Sequence, residues 1–255
     1  MKATVHRKVE GRLKTISVKR EGKKWFVVLC CDEVPHKPIE RTDKAIGIDV
    51  GIASFATTSE GEHIDNPRHG AKAADRLARA QRVLNAKKRG SKNRLRTRET
   101  VASRHRKLAN ARRDFHHKTA RCLVERFDLI CVEDLAVKNM VTRAKPAPDP
   151  ESRGQFLPNG GSAKTGLNRS INDAGWAQFR SILCAKAEEA GRQVVSVNPR
   201  HTGQRCAQCG HIDPADRVSQ AGFRCVACGH EAHADVNAAR NILRAGLALL
   251  DADAA

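Results

Sequence analysis

The chain has 255 residues, enough to bury a substantial core, and 40% of them are hydrophobic, which excludes a disordered chain. No apolar run approaches the length of a membrane span, and no signal-peptide core follows the charges of the first eight residues, so secretion and membrane insertion are not expected. Lys and Arg number 47 against 28 Asp and Glu, a net charge of +19 that attracts a polyanion at long range, and nucleic acid is the expected partner.

In chain order, residues 1–42 read as short strands. Leu13–Lys19 and Lys24–Cys31 flank a turn at Arg20-Glu21-Gly22-Lys23, and Trp25-Phe26-Val27-Val28-Leu29 is rich in strand formers. A lone hairpin is marginal in water, so this segment reads as the β-rich remnant of a larger unit. Ala45–Val50 has a buried-strand pattern, and Ile52–Thr58 and Glu62–Asp65 read as two further strands. Residues 71–125 read as a helical hairpin broken at Arg89-Gly90-Ser91. Leu77, Ala80 and Leu84 form its first apolar stripe, and Val101, Leu108, Phe115 and Cys122 recur every seven residues in the second. Between residues 69 and 122 stand 18 Lys or Arg and three acids. A charge run is usually a solvated face, but this excess is one-signed. The expected phosphate contacts are Arg82, Lys87, Lys88, Arg89, Lys92, Arg94, Arg96, Arg98, Arg104, Arg106, Arg112 and Arg113.

Residues 127–135 read as an interior strand with Glu133 and Asp134 near its end. Residues 142–169 hold four of the nine prolines and read as a long loop. A helix is expected over 173–190, capped by Asn172 or Asp173, followed by a buried strand over 193–198. Residues 234–250 read as a last helix with Val236, Ala239, Leu243, Leu247 and Leu250 on one face, only mildly interrupted by Gly246. A short acidic tail is expected to fray.

Four of the nine cysteines form two C-x-x-C pairs, Cys206/Cys209 and Cys225/Cys228, with 15 residues between the pairs and Gly after each. Each pair offers two thiolates from one tight turn, and four such ligands satisfy a tetrahedral structural zinc. His211 and His230 follow the pairs and are expected beside the site, not in it. Cys30, Cys31, Cys122, Cys131 and Cys184 read as reduced core thiols, and the expected compartment is a reducing cytoplasm.

A second signal is a set of acids at element ends: Asp49 in the first interior strand, Glu133 at the end of a later one, Asp235 opening the last helix. A carboxylate in a buried strand is costly unless it is paired or bound to metal. Three such acids can converge on Mg2+ for phosphodiester hydrolysis. Taken singly, each has a plain explanation as turn, strand end or cap, and Asp134 competes with Glu133. Gly47-Ile48-Asp49-Val50-Gly51 is also compatible with the phosphate loop of actin-like ATPases, but the chain is too short for their two lobes.

Ala45-Ile46-Gly47-Ile48-Asp49-Val50-Gly51, Ile130-Cys131-Val132-Glu133-Asp134-Leu135 and Asp235-Val236-Asn237-Ala238-Ala239-Arg240-Asn241-Ile242 resemble the three RuvC-type motifs of the TnpB/OrfB family of insertion-sequence transposases. Ser170–Trp176 and Asn198–Arg205 resemble two more stretches of that family, in the same order. The resemblance covers roughly residues 10–245. It implies an α/β, RNase H-like nuclease domain over 43–202 and 231–250, with a basic helical hairpin at 71–125, a lid-like loop at 142–169 and a zinc ribbon at 203–230. It further implies catalytic Asp49, Glu133 and Asp235 holding Mg2+, DNA as substrate, a guide RNA from the mobile element, and a nucleoid-associated bacterial protein. In that scheme base pairing reads the target sequence. Family members carry a larger N-terminal region where this chain has residues 1–42, so a truncated or minimal form is expected. The competing expectations are a catalytically inactive zinc-ribbon DNA-binding remnant and, fitting less well, a junction resolvase.

Overall fold

The computed structural model describes residues 4–5, 8–22, 24–152 and 154–253. The expectations placed on the first charges of the chain, on Lys23 in the first turn and on the last two residues of the acidic tail lie outside the described residues. Among the described residues no helix is long and apolar enough to cross a membrane.

Strands β1 (Arg12–Glu21) and β2 (Lys24–Asp32) pair antiparallel as a ribbon whose side chains are almost all exposed. Strands β3 (Ala45–Val50), β4 (Ser54–Thr58) and β5 (His63–Asp65) form an antiparallel meander. Helices α1 (His69–Asn85) and α2 (Lys92–Arg126) follow, then β6 (Leu129–Glu133) and a single turn of helix, α3 (Val137–Met140). A two-residue ribbon of β7 (Ala147–Pro148) and β8 (Phe156–Leu157) leads to α4 (Gly161–Ala174), α5 (Trp176–Glu189) and β9 (Gln193–Val197). After the cysteine unit with its strands β10 (Gly222–Arg224) and β11 (Glu231–His233), α6 (Ala234–Asp253) closes the fold.

The main sheet has the order β5-β4-β3-β6-β9, with β3, β6 and β9 parallel. Alternation along β3 and β6 sends Ile46, Ile48, Ile130 and Val132 to one face. There they pack with Phe55, Leu123, Phe127, Phe179 and Leu183, a core covered by α2 and α5. Gly47 and Cys131 face the other way, under α6. A Cβ on Gly47 would collide with the Ala239 carbonyl, and one on Gly246 with the Cys131 sulfur. The helix lies this close because both positions lack a side chain. The buried face of α6 is therefore Val236, Ala238, Ala239 and Ile242 beside Gly246, while Leu247, expected inside, is 42% exposed. The expected stripe holds at Val236 and Ala239 and leaves the buried face by Leu247.

The helical hairpin forms as its pattern predicts: Leu77, Ala80 and Leu84 of α1 meet Val101 of α2. Ser91 caps α2, its hydroxyl accepting the Arg94 N–H at 3.1 Å. The heptad loses depth along its length. Leu108 and Phe115 are half-buried, and Cys122 is exposed. Of the five thiols expected in the core only Cys131 is buried; Cys31 is half-buried and Cys30, Cys122 and Cys184 are exposed.

The 142–169 loop is shorter than its composition suggests, because α4 begins at Gly161. The helix expected over 173–190 is two helices meeting at Gly175, whose φ of 68° ends one and starts the other. Asp173 is not a cap. Its carboxylate accepts the Gly70 N–H at 2.7 Å and pairs with Arg112 at 3.0 Å, tying α4 to both helices of the hairpin.

Candidate active site and cysteine centre

Ile48 pairs with Val132 across the parallel β3–β6 ladder. One residue further, the same register sets Asp49 beside Glu133 at the carboxyl ends of the two strands, on the face that α6 covers. Asp235 sits in the first turn of α6 above them. The electrostatics report the convergence. Burial, then the neighbouring charges of Glu133 and Asp235, push the Asp49 carboxyl up to about 8, opposed by Arg217 and the Val50 backbone N–H. Burial also raises Glu133, opposed by a hydrogen bond from Thr202. Asp134, the rival of Glu133, is exposed and ion-paired to Arg180. The strand-end pair thus divides by parity, one acid to the cluster and one to the rim.

Thr202, expected only as part of a motif, is buried and donates its hydroxyl to the Glu133 carboxylate. Its own carbonyl accepts from Asn241 Nδ2 at 2.9 Å, and the Arg205 carbonyl accepts from Asn241 at 2.6 Å and from Asn237 Nδ2 at 2.7 Å. Asn237 Oδ1 accepts the Ala207 N–H at 2.8 Å. Two asparagines four residues apart on α6 thereby fasten the loop that supports Glu133 and leads into the first cysteine turn. Their spacing on an otherwise apolar face was the legible signal. Arg217 had none: it reaches from the cysteine unit to Asp235 Oδ1 at 3.4 Å and donates to the Gln220 carbonyl at 2.9 Å. His63 and His233 meet edge to face at 4.7 Å, and His233 Nδ1 accepts the Asp235 N–H at 3.2 Å.

Three carboxylates around a buried centre, with one guanidinium against them, leave negative charge uncompensated. Hard oxygen donors in that balance fit a divalent cation such as Mg2+. The cluster is open: among the described residues the four cysteines are the only group of three or more such side chains whose ligand atoms all lie within 4.8 Å of one another.

Those sulfurs come from two similar turns. The Cys206 N–H donates to the His211 carbonyl at 2.8 Å and the Gly210 N–H to the Cys206 carbonyl at 3.0 Å; Cys225, His230 and Gly229 repeat the pattern at 2.9 Å each. Gly210 and Gly229 take φ of 81° and 73°, which a side chain would strain. Cys206 and Cys228 sulfurs lie 3.7 Å apart, Cys209 and Cys225 3.6 Å. Burial raises the Cys206 thiol, but N–H groups of Cys209 and Gln208 and the neighbouring thiols outweigh it and bring it down to about 7. Four thiols so close could hold a metal, and soft sulfur donors in this arrangement fit zinc. His211 and His230 are outside the ligand group.

Of the twelve basic residues expected at phosphates, three are engaged within the protein. Arg94 Nη1 donates to the Leu84 and Lys87 carbonyls at 2.8 and 3.0 Å, Arg106 to the Glu21 carbonyl at 3.3 Å, and Arg112 pairs with Asp173. Arg82, Lys87, Lys88, Arg89, Lys92, Arg96, Arg98, Arg104 and Arg113 are exposed.

Two family models match the chain: OrfB_IS605, described as a probable transposase, over residues 28–144, and a Cas12f1-like TNB domain over residues 176–242. The chain is 38% identical over 244 residues to "Putative RNA-guided DNA endonuclease InsQ" of Escherichia coli (strain K12), spanning 96% of this chain and 59% of that protein. This chain belongs to the TnpB/OrfB family. It is also 30% identical to the CRISPR-associated endodeoxyribonuclease Cas12f1 of Sulfoacidibacillus thermotolerans, over 86% of this chain and 50% of that protein. The TnpB/OrfB chain thus spans about half the length of the curated relatives it matches. Its mixed α/β fold is similar to that of Cas12f1 in a complex with sgRNA and target DNA, with a TM-score of 0.53 at 17% identity over 89% of this chain and 55% of that one. It is similar too to the mini-RNA-guided endonuclease Cas_phi3, with a TM-score of 0.50 at 13% identity over 80% and 44%.

Proposed function

We propose that this TnpB/OrfB chain is a transposon-encoded, Mg2+-dependent DNA endonuclease guided by an RNA of its mobile element and acting in the cytoplasm at the nucleoid. The observation that carries the reading is the β3–β6 register that sets Asp49 beside Glu133 at the strand ends, with Asp235 in the first turn of α6; the upward push on the Asp49 carboxyl supports it. The names of the relatives, RNA-guided DNA endonuclease and endodeoxyribonuclease, support the same activity. An antiparallel meander continued by two parallel strands supports an RNase H-like assignment for residues 43–202 and 231–250, with 1–42 a separate β-rich unit.

In this reading Asp49, Glu133 and Asp235 hold Mg2+. A divalent ion, when bound, supplies Lewis acidity for phosphodiester hydrolysis. Thr202 orients Glu133 and opposes the effect of burial on its carboxyl, and Arg217 orients Asp235 while adding positive charge beside the phosphate path. Cys206, Cys209, Cys225 and Cys228 hold a structural zinc that keeps Arg217 in place. The nine exposed cations of α1, α2 and their turn bind nucleic-acid backbone.

The test is cleavage of labelled DNA in Mg2+ by protein co-expressed with RNA from its own element, beside Asp49→Asn. Cleavage by the parent alone, with DNA binding kept by both, is expected. Binding without cleavage by either would replace the reading with a DNA-binding remnant.

A further inference from the structure

The loop after β9 leaves the sheet beside Glu133, which pairs with Val197 across the parallel β6–β9 ladder. Thr202 folds that loop back: the hydroxyl that donates to Glu133 also lies 3.0 Å from the Pro199 carbonyl. That carbonyl is bonded to the Arg200 nitrogen, so Thr202 sets the Arg200 backbone beside the Glu133 carboxylate. The Arg200 N–H is satisfied by Asn198 Oδ1 at 2.9 Å. The side chain is fixed as well. Arg200 Nε donates to His201 Nε2 at 3.0 Å. An arginine N–H can only donate, so His201 Nε2 accepts and the ring hydrogen sits on Nδ1, which donates to Gln204 Oε1 at 3.1 Å. His201 is held in the left-handed region, at a φ of 64°, and its carbonyl accepts the N–H groups of Gln204 and Arg205 at 3.1 and 2.9 Å. A guanidinium has five N–H donors, and only the one on Nε is used. Arg200 is exposed, and its two Nη groups meet no acceptor among the described residues.

From this we infer that Arg200 is a further substrate-positioning residue: its two Nη groups grip the non-bridging oxygens of a phosphodiester next to the one at the carboxylates, while His201 and Gln204 hold the guanidinium from behind. A planar fork of N–H donors matches a phosphate bidentately. The acids nearest in the fold are already engaged, Glu133 by Thr202 and Asp134 by Arg180, so they do not claim the fork. Arg217, the cation beside the cluster, is spoken for by Asp235. The cations of the α1–α2 hairpin are spread along two helices, whereas Arg200 stands on the loop that supports Glu133. It therefore sets the register of the strand at the carboxylates, by backbone and not by base. The inference rests on the nuclease reading for the identity of the strand.

The test uses protein co-expressed with the RNA of its element and DNA strands in which single phosphodiesters are replaced, one per strand, by neutral methylphosphonates. With Ca2+ in place of Mg2+ the strand stays whole, and anisotropy gives the affinity. One replacement next to the cleaved bond is expected to weaken binding by the parent roughly ten-fold, the scale of a hydrogen bond to a charged group. Arg200→Ala is expected to bind the unmodified strand roughly ten-fold more weakly, to be indifferent to the replacement at that one position, and to respond like the parent at all others. Its Tm and zinc content should match the parent, because the side chain is exposed. Arg200→Lys keeps the charge without the fork and should recover only part of the response. His201→Gly suits the left-handed backbone and removes the ring, so Tm should hold while the response at that position shrinks. A parent with no such position, or an Arg200→Ala loss equal for every strand, overturns the grip. An undiminished response in His201→Gly overturns the part given to His201. An Arg200-dependent position with no cleavage by the Mg2+-loaded parent would instead overturn the nuclease reading and leave the grip standing.

Discussion

Arg217 Nη2 lies 3.4 Å from Asp235 Oδ1, a link from the cysteine unit to the carboxylate cluster. Arg217 sits between the two cysteine turns, so its position depends on the fold that the four sulfurs hold. Metal stripped by a chelator, or Cys209→Ser, is expected to abolish cleavage as well as loosen residues 203–230. Arg217→Ala, with zinc retained, should lower cleavage roughly ten- to hundred-fold. Zinc content by absorption spectroscopy and cleavage of labelled DNA give the two readouts. Full cleavage by zinc-free protein would break the proposed coupling.

Thr202 is the second support of the cluster. Its hydroxyl donates to Glu133, and its carbonyl is held by Asn241. Thr202→Val keeps the shape and removes the donor, so burial alone then acts on Glu133 and raises its carboxyl further. Such supporting hydrogen bonds are worth roughly ten-fold or more in metal affinity. The expected result is a higher Mg2+ requirement, with saturating Mg2+ restoring much of the rate and Thr202→Ser behaving like the parent. A Mg2+ titration of cleavage decides it.

The strand at Ala45–Val50, the hairpin break at Gly90-Ser91, the two cysteine turns and the three acids at element ends were all legible, because each depends on local pattern. What escaped depends on tertiary approach. Helix α4 carries few large apolar residues and follows a Pro-rich stretch, so residues 161–169 read as loop. Arg94, Arg106 and Arg112 look like their exposed neighbours in sequence, and only the fold shows which cations face carbonyls or Asp173. Arg217 stands in a polar stretch with no periodicity to mark it.

Gly47 and Gly246 let α6 lie against β3 and β6. Gly47→Ala would drive a Cβ into the Ala239 carbonyl, a backbone atom that cannot swing aside. The helix must shift, which misplaces Asp235 along with the core. A stability loss of about 2 kcal/mol or more is expected, typical of overpacking. Gly246→Ala meets the Cys131 sulfur instead, so Cys131→Ala in the same chain should recover part of the loss. Denaturant midpoints of the two singles and the double variant measure it.

His116 is buried within the α2–α5 core, its Nε2–H donating to the Ala174 carbonyl at 2.8 Å. Burial depresses its pKa below the ordinary 6.5, assisted by Arg112. The unfolded chain thus takes up a proton first as pH falls. The stability that neutral His116 contributes is complete above pH 6.5 and drains away below it, down to the depressed folded value. The Tm difference between the parent and His116→Gln, in which the raised Asp49 carboxyl cancels, should be constant from pH 8 to 7 and shrink below about 6.5.

The basic hairpin separates cations left exposed from cations that build. Lys88 and Arg89 are exposed in the turn, whereas Arg94 closes the same turn onto the Leu84 and Lys87 carbonyls. Lys88→Ala should weaken DNA binding alike for all sequences and reduce the salt slope of log K by about one, with thermal stability unchanged. Arg94→Ala frees two carbonyls and the α1–α2 junction. It should lower Tm, and any loss of binding should follow from the loosened hairpin, largely recovered by measuring at lower temperature. Binding curves at several salt concentrations beside melting curves distinguish the two. A reduced salt slope for Arg94→Ala with an unchanged Tm would move that arginine back among the phosphate contacts.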